Sequence, residues 1–256
     1  MADRALGAIV LAAGAGKRIR TSDADVTPKV MKQACGVPLI GYVLRALKFI
    51  PAAATAVVVG YGRESVIAYC GPDYRFCVQE EQRGTGDAAM SARALFEGFE
   101  GDILVTAGDM PLVSERTYTR LFRAHREAEN SCTVLSTLLD DPTGYGRVLR
   151  DGAGRFLAIR EHKDCSAEER LCRECNTSIY IFDGAALFSA LAEVTPANAQ
   201  NEYYLTDVPH ILKARGAKIG VFQAEDAWEL VGVNDMAQLR AVEETILSKN
   251  LVRPEK

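Results

Sequence analysis

The feature that most constrains the fold is an alternation of short apolar runs with helical stretches. In the first half, strands are predicted at Ala8–Ala13, Thr55–Gly60, Arg75–Gln79 and Asp102–Asp109. Helices are predicted from Pro38 and over Arg63–Tyr69, Gly86–Phe99 and Ser114–Glu129, with Ser114 as an N-cap. Runs that are apolar throughout are typical of strands buried on both faces. The β-α-β order therefore predicts an α/β fold with a parallel sheet and helices on both faces.

The second half is richer in strands. These are predicted at Cys132–Leu139, Gly146–Arg150, Phe156–Glu161, Ser178–Phe182 and Lys218–Gln223, with helices at Gly184–Glu193, Leu205–Arg215 and Asp235–Ser248. No linker or internal repeat separates the halves. We therefore expect one mixed domain with two lobes.

Composition narrows the range of partners. The chain has 256 residues and a net charge of -4, which argues against broad binding to nucleic acid or anionic membranes. No apolar run approaches the roughly 18 residues of a membrane-spanning helix. The N-terminal apolar run ends at glycines and Lys17–Arg18, unlike a signal peptide. A cytoplasmic protein is expected.

The seven cysteines do not suggest a disulfide framework. Cys172 and Cys175 have the spacing of zinc ligands, and Cys165 is close in sequence. No second such pair and no spaced histidine pair accompanies them, and a closed zinc site needs four ligands. Reduced thiols are the favoured interpretation, with a structural metal as the alternative.

A glycine-spaced turn, LAAGAGKR at residues 11–18, follows the first predicted strand. It fits neither the Walker A pattern, because Arg18 follows Gly16–Lys17, nor the G-x-G-x-x-G pattern, because Ile19 takes the third position. Glycines still allow close approach of backbone N–H groups to an anion, and arginine can grip a phosphate. The alternative is an ordinary strand-to-helix turn with solvated basic residues.

Further polar residues follow other predicted strands. Lys29 comes directly after a proline, Thr85 lies between two glycines, and Asp109 ends a buried strand. Because ligands of open α/β sheets bind at the carboxyl ends of strands, these loops are expected to share one crevice. Asp109 is suited to hold Mg²⁺ between phosphates, with helix capping as the alternative, and Asn234–Asp235 offer further oxygens.

Nine motifs then occur in a characteristic order: LAAGAGKR, PKVM, QEEQRGTGDA, GDMPL, DDPTGYGRV, EHKD, CNTSIY, NEYYLTD and VGVND. Together they resemble the uridylyltransferase domains of bacterial UDP-N-acetylglucosamine pyrophosphorylases, in the sugar-nucleotidyltransferase superfamily. The resemblance runs from about Ile9 to Met236. It implies a three-layer, Rossmann-like fold with a mixed, mostly parallel sheet.

The resemblance also implies an activity and a domain division. The activity is Mg²⁺-dependent formation of a UDP-sugar, a cell-wall precursor, and pyrophosphate from UTP and a sugar 1-phosphate, with N-acetylglucosamine as the expected sugar. Residues 1–234 are the expected catalytic domain, with a nucleotide-binding half over about 1–112 and a sugar-phosphate-binding half over about 113–234. Residues 235–256 are the expected C-terminal helix and tail. The three histidines need no catalytic role, and His162 is expected to be structural.

The implied residue roles fall into three sets. The expected catalytic residues are Arg18, Lys29 and Asp109, and the expected Mg²⁺ ligands are Asp109 and Asn234. Nucleotide binding falls to Leu11, Ala12, Ala13, Gly14, Gly16, Lys17, Gln79, Gly84, Thr85 and Gly108. Sugar binding falls to Gly146, Glu161, Asn176, Tyr204 and Thr206.

Three departures from the family affect these expectations. The loop Thr21–Pro28 is longer than usual and is expected to form a flap, and Ala107 replaces a common tyrosine, which is expected to loosen the sugar pocket. The hexapeptide repeats of the family's trimerising β-helix are not found, so a monomer or weak oligomer is expected. A different sugar, polyol phosphate or nucleotide is one alternative, and a non-catalytic binding protein is another.

Overall fold

The computed structural model describes residues 4–19, 22 and 25–251, except for the side chain of Lys17. The strands are β1 (Ala5–Ala12), β2 (Gln33–Ala34), β3 (Val37–Pro38), β4 (Thr55–Val59), β5 (Arg75–Val78), β6 (Gly101–Ala107), β7 (Cys132–Leu138), β8 (Arg147–Arg150), β9 (Phe156–Arg160), β10 (Glu174–Asp183) and β11 (Ile219–Gln223). The α-helices are α1 (Leu39–Ala46), α2 (Arg63–Cys70), α3 (Thr85–Ser91), α4 (Glu115–Glu127), α5 (Gly184–Leu191), α6 (Val208–Ala214) and α7 (Met236–Ser248). None of the helices in these ranges is long and apolar enough to span a membrane.

One sheet runs through both halves of the chain, in the order β11-β7-β10-β6-β1-β4-β5. β1 is parallel to both β4 and β6, and β5 is parallel to β4. Only β10 runs against the other six strands of this path, and the β8–β9 hairpin is attached to it. The predicted mixed, mostly parallel sheet is confirmed.

The two faces of the sheet carry separate apolar cores, which makes the fold three-layered. On β1, Ile9 belongs to one core and Val10 to the other, and both are fully buried. This alternation explains why the run is apolar throughout. Helices α3, α5 and α6 cover the first face, and α1, α2 and α4 cover the second.

A third apolar cluster joins α7 to the first half of the chain. Leu239, Val242 and Ile246 of α7 pack with Ile19 and Ala34. The backbone N–H of Cys35, in the β2–β3 turn, also donates to Glu243 Oε1 at 2.9 Å. The C-terminal helix is therefore packed against the part of the chain that carries the glycine turn.

Most predicted elements are present, with three differences. The predicted helix Gly86–Phe99 is wrong in its second part, because α3 ends at Ser91 and a 3₁₀ turn, Arg93–Phe96, buries Phe96 in the core. β10 starts at Glu174 rather than Ser178, because hydrogen bonds satisfy its polar start. The short β2–β3 hairpin was not predicted. Ser114 is the N-cap of α4, as predicted, and accepts from Thr117 N at 3.2 Å.

Candidate active site

The glycine turn follows β1 at the carboxyl edge of the sheet. Gly16 has φ +60°, and a Cβ there would lie 2.6 Å from Lys29 Cβ, so a side chain is excluded on two grounds. Gly16 O then accepts from Ile19 N at 3.0 Å, which starts a single 3₁₀ turn. Because Ile19 is fully buried, it anchors the turn, while its neighbour Arg18 stays exposed.

Four predicted residues meet beside this turn. Lys29 Nζ contacts Asp109 Oδ2 and donates to Asn234 Oδ1 at 3.2 Å. Arg18 donates to the same Asn234 oxygen at 3.4 Å. Segments more than 200 residues apart in sequence therefore place two cations, one carboxylate and one amide in a single cluster. We call Arg18, Lys29, Asp109 and Asn234 the charged cluster.

Local hydrogen bonds fix the position of Asn234. Val233 N donates to Asp109 O at 3.0 Å, which ties this segment to the end of β6. Asn234 N donates to Gln238 Oε1 at 2.7 Å, while Asp235 caps α7 by accepting from Gln238 N. The docked helix α7 therefore holds one member of the charged cluster, a contribution of Gln238 that the sequence did not reveal.

The second glycine-rich turn follows β5 at the same edge of the sheet. Gln79 is buried, and its side-chain NH₂ donates to Gly84 O at 3.0 Å and to Asp87 Oδ2 at 2.8 Å. Because both partners are acceptors, they fix which end of the Gln79 amide is the NH₂ group. Asp87, which was not predicted as a site residue, thus orients Gln79, and Oε1 is the acceptor left for a ligand.

The sugar residues predicted from the resemblance form a second group. Thr206 Oγ1 donates to Glu161 Oε1 at 3.1 Å, and Asn176 N donates to Gly146 O at 2.8 Å. A Cβ on Gly146 would lie 3.4 Å from Glu161 Oε2 and 3.5 Å from Asn176 Cβ, so these residues are neighbours. Tyr204 is also buried, and its hydroxyl accepts from Gln200 Nε2 at 2.8 Å. Burial raises the pKa of Tyr204 to about 12.

Burial also raises the pKa of Glu161, opposed by the hydrogen bond from Thr206 and reinforced by nearby carboxyls, with Asp164 first. Such a carboxyl is a strong acceptor when ionised, and its ionisation is sensitive to pH. We call Gly146, Glu161, Asn176, Tyr204 and Thr206 the sugar group.

The segment around Tyr203 connects the second glycine turn to the sugar group. Gly86 N donates to Tyr203 O at 2.8 Å, and Leu205 N donates to Thr85 Oγ1 at 3.1 Å. Gly84 has φ +122°, and a Cβ there would lie 2.5 Å from Tyr203 O. Thr85 therefore acts here as an acceptor that joins the two loops.

The other predicted nucleotide residues line the end of β1. Ala12 is fully buried, Ala13 O accepts from Tyr61 N at 3.2 Å, and Leu11 O accepts from Gly108 N at 2.9 Å. Gly14 is exposed, and a Cβ there would meet no atom within 4 Å. The side chain of Lys17 and three residues of the Thr21–Pro28 loop (21, 23 and 24) lie outside the described residues, so the predicted phosphate contact of Lys17 and the predicted flap stay predictions.

The cysteines near the sugar group make only weak contacts. Cys165, Cys172 and Cys175 have sulfurs 3.5 to 3.6 Å from backbone carbonyl oxygens. Burial raises the pKa of Cys175 to about 11. Across residues 4–19, 22 and 25–251, no group of three or more His, Cys, Asp or Glu side chains is arranged to hold a metal ion.

Comparisons with known proteins agree with this arrangement. The chain is 42% identical over 238 residues to the bifunctional protein GlmU of Pelotomaculum thermopropionicum, which covers 93% of this chain and 51% of that protein. It is also 42% identical over 236 residues to GlmU of Brevibacillus brevis, covering 92% and 50%. The chain thus spans about half the length of the curated relatives it matches.

Solved structures show the same fold at lower identity. A Bacillus anthracis structure assigned as a glucose-1-phosphate thymidylyltransferase matches with a TM-score of 0.73 and 20% identity over 98% of both chains. A UDP-glucose pyrophosphorylase in complex with UDP-glucose also matches with a TM-score of 0.73, at 18% identity, over 96% of this chain and 99% of that chain. The sequence profile of the MobA-like NTP transferase domain matches residues 8–176. Because this match covers well over half of the chain, the protein belongs to the MobA-like NTP transferase domain family.

Proposed function

We propose that this chain is a Mg²⁺-dependent uridylyltransferase. It joins UTP to a sugar 1-phosphate, with N-acetylglucosamine 1-phosphate as the preferred acceptor, and releases pyrophosphate. The observation that carries this proposal is the charged cluster, which lies at the carboxyl edge of the sheet together with a glycine turn. The family membership and the GlmU relatives support a nucleotidyltransferase of this kind.

The reaction needs charge cancellation rather than a covalent intermediate. A phosphate oxygen of the sugar 1-phosphate attacks the α-phosphorus of UTP, and the bond from that phosphorus to the α,β-bridging oxygen breaks. Pyrophosphate leaves with the electron pair of that bond. Because the nucleophile is already anionic, no general base is required. Arg18 and Lys29 supply positive charge, and the backbone of the Gly14–Gly16 turn supplies N–H groups.

The donor set fits a magnesium ion. Lys29 Nζ reaches both Asp109 Oδ2 and Asn234 Oδ1, which shows that one cation can contact both oxygens. Mg²⁺ commonly takes one or two protein oxygens and completes its shell with water and substrate phosphates. Asp109 and Asn234 are the residues that hold it. When bound, it neutralises charge that develops on the phosphates.

Gln79 favours uracil over cytosine. Its NH₂ group is already bonded to Gly84 O and Asp87 Oδ2, so the side chain offers only an acceptor to a base. Uracil has an N3–H donor at its pairing edge, whereas N3 of cytosine is an acceptor. Thymine shares this donor, so this contact does not separate UTP from dTTP.

The sugar group supports a hydroxyl- and amide-bearing sugar. Glu161 offers carboxylate acceptors, and Asn176 can both donate and accept. A buried pocket with these groups rejects a substrate that leaves them unpaired. A different sugar is the second candidate, because Ala107, the last residue of β6, stands where the family that the sequence resembles commonly has a tyrosine.

The partners proposed are these small substrates, in the cytoplasm, without nucleic acid or membrane. The net charge of -4 disfavours extended contact with polyanions, while the charged cluster provides a local basic site. A monomer or weak oligomer is proposed.

Pyrophosphate release tests the function directly. The protein is assayed with Mg²⁺ and UTP against N-acetylglucosamine 1-phosphate, glucose 1-phosphate and other sugar phosphates, and then with dTTP, CTP, GTP and ATP. The highest kcat/KM is expected for UTP with N-acetylglucosamine 1-phosphate. Preference for another pair selects the second candidate, and no release with any pair overturns the proposed function.

A further inference from the structure

Glu229 is a buried acidic residue in the short 3₁₀ helix Ala227–Leu230, which comes shortly before Asn234 in the chain. Its carboxylate accepts hydrogen bonds from three groups at the start of α4. These are Ser114 N at 3.1 Å, Ser114 Oγ at 3.0 Å and Thr117 Oγ1 at 2.6 Å. Unpaired N–H groups and the helix dipole both favour a negative charge at this end of a helix. Glu229 therefore fastens its own segment to the first turn of α4.

The start of α4 and the segment of Glu229 each lead to one member of the charged cluster. Residues 109–114, which we call the Asp109 loop, join Asp109 to the N-cap of α4. Residues 229–234, which we call the Asn234 loop, join Glu229 to Asn234. A second bond ties the other ends of the two loops, since Val233 N donates to Asp109 O at 3.0 Å. The loops are thus connected at both ends, by Glu229 at one and by Val233 at the other.

Apolar side chains also pack the two loops together. Leu230 shares the core on the second face of the sheet with Met110 and Val113, and Val233 shares the third apolar cluster with Leu112. All five side chains are buried. Apolar packing is not directional, whereas hydrogen bonds require a defined distance and angle. The polar contacts at the two ends therefore set how the loops are aligned.

A magnesium site is sensitive to this alignment. The two proposed ligands, Asp109 and Asn234, lie on different loops, and Lys29 Nζ contacts an oxygen of each. Mg²⁺ demands near-ideal octahedral geometry with its ligands at about 2.1 Å, so it tolerates little change in their spacing. Any group that fixes one loop against the other therefore affects metal binding.

We propose that Glu229 is a positioning residue for the metal site, which sets the spacing of Asp109 and Asn234 by locking the Asn234 loop to α4. The inference rests on the metal assignment within the proposed function. Glu229 does not itself bind the metal, because its carboxylate is buried against α4 and is engaged by Ser114 and Thr117.

The test compares Glu229→Met with a matched control, Glu225→Met. Glu225 also connects the chain before Asn234 to α4, through Arg120 at 2.5 and 2.7 Å, but its side chain is 61% exposed. Methionine is similar in length to glutamate and has no oxygen to accept the three hydrogen bonds. The variant Glu229→Gln keeps one acceptor oxygen and serves as the conservative replacement.

Metal binding is measured without turnover. Mn²⁺ replaces Mg²⁺ as the probe, and water-proton relaxation follows its binding to the protein at a fixed UTP concentration without sugar 1-phosphate. Glu229→Met is expected to raise the apparent Mn²⁺ dissociation constant about tenfold, the lower end of the range for residues that orient metal ligands. Glu229→Gln is expected to lie closer to the wild type than Glu229→Met, and Glu225→Met is expected to match the wild type.

Steady-state kinetics separate mispositioned ligands from general loosening of the fold. In Glu229→Met the Mg²⁺ concentration that gives half the maximal rate is expected to rise about tenfold. The kcat is expected to return to the wild-type value at saturating Mg²⁺, and KM for the sugar 1-phosphate is expected to stay unchanged. In an Asn234→Ala background, Glu229→Met is expected to have no further effect on the Mn²⁺ constant.

An unchanged Mn²⁺ constant in Glu229→Met, an equal rise in Glu225→Met, or additive effects in the Asn234→Ala background overturn the inference. If Glu229→Met does not fold, Thr117→Val removes the shortest of the three hydrogen bonds and takes its place. A wild type that binds Mn²⁺ with UTP but releases no pyrophosphate overturns the proposed function, while the Mn²⁺ comparison still decides the inference. A wild type that binds no Mn²⁺ overturns the metal assignment and the inference together.

Discussion

Lys29 Nζ contacts Asp109 Oδ2 between the glycine turn and the end of β6, and this ion pair organises the charged cluster. The Asp109 side chain is only 10% exposed and that of Lys29 is 22% exposed, so water screens the pair incompletely. Asn234 Oδ1 lies 3.2 Å from the same ammonium and 3.4 Å from Arg18. The charged cluster thus presents two oxygen acceptors, on Asp109 and Asn234, that can bind a cation. It also presents two positive groups, on Lys29 and Arg18, that can bind phosphates.

Asp109→Asn is expected to remove most activity while the fold is kept. The change retains the shape of the side chain but removes the carboxylate that balances Lys29 and that is proposed to hold Mg²⁺. The expected loss in kcat is about 100-fold or more, the range seen when one group that stabilises transition-state charge is removed. Pyrophosphate release and circular dichroism are measured beside Asp73→Asn, an exposed control. Activity close to wild type in Asp109→Asn would contradict the metal assignment.

Arg18→Ala is expected to lower kcat more than it raises KM for UTP. Arg18 is exposed, and its hydrogen bond to Asn234 is long, at 3.4 Å. The substrate-free protein therefore holds the Arg18 side chain only weakly. A group that engages mainly as charge develops on the phosphates acts on the transition state rather than on binding. Steady-state kinetics with UTP varied, beside the exposed control Arg93→Ala, separate the two constants. A change confined to KM would show that Arg18 only binds the ground state.

Glu161→Gln is expected to stabilise the fold at neutral pH while weakening sugar binding. Burial raises the pKa of Glu161, so the folded state binds its proton more tightly than the unfolded state does. The free energy of unfolding therefore falls as the pH rises from the ordinary pKa of 4.5 through the raised pKa of Glu161. Above the raised pKa the loss is complete and stays constant. Thermal melts from pH 4 to 8 are expected to show the gain in Tm for Glu161→Gln growing with pH. A gain that is equal at all pH values would contradict this assignment.

Much of the fold was predictable because its signals are local. The apolar runs, the N-cap at Ser114 and the polar residues at strand ends can all be read within short windows. The residues that orient the site cannot. Asp87 orients Gln79, and Gln238 holds Asn234, only because tertiary packing brings them there. The register shift in β10 likewise depends on its pairing with β7.

Asp102→Asn is expected to reduce stability without damaging the site. Asp102, at the start of β6, is 2% exposed and bonds Arg126 Nε at 3.1 Å, with Arg4 and His125 close by. Burial alone would raise the pKa of Asp102, but the hydrogen bond with His125 first, and then Arg126 and Arg4, outweigh burial and lower the pKa. Its contribution is therefore present above pH 3.8 and is lost as the pH falls below that value.

The free energy of unfolding of Asp102→Asn is expected to fall by about 2 kcal/mol at pH 7, because the buried Asp102 carboxylate loses its charge-assisted hydrogen bond from the partly exposed Arg126. Urea denaturation measures this loss. Asp183→Asn is the control, since the Asp183 side chain is 27% exposed, its ion pair is with exposed Arg4, and asparagine can keep the N-cap hydrogen bond from Ala186 N. Equal losses of unfolding free energy in the two variants would contradict the role given to burial. The KM values of Asp102→Asn for UTP and for the sugar 1-phosphate are expected to match those of the wild type.

Gly84→Ala is expected to damage uridine binding, and Gly71→Ala provides its control. Both glycines have positive φ, +122° and +81°, so alanine is strained at either position. A Cβ at Gly71 meets no atom within 4 Å, whereas one at Gly84 would lie 2.5 Å from Tyr203 O and 2.8 Å from Tyr203 N. Gly84→Ala must therefore displace the backbone that joins the second glycine turn to the sugar group.

Gly84→Ala is expected to lower the free energy of unfolding by about 2 kcal/mol more than Gly71→Ala does, which is in the range for overpacking. It is also expected to raise KM for UTP. Urea denaturation and steady-state kinetics of both variants measure this, and equal stability losses with unchanged KM values would show that the loop adjusts without affecting Gln79.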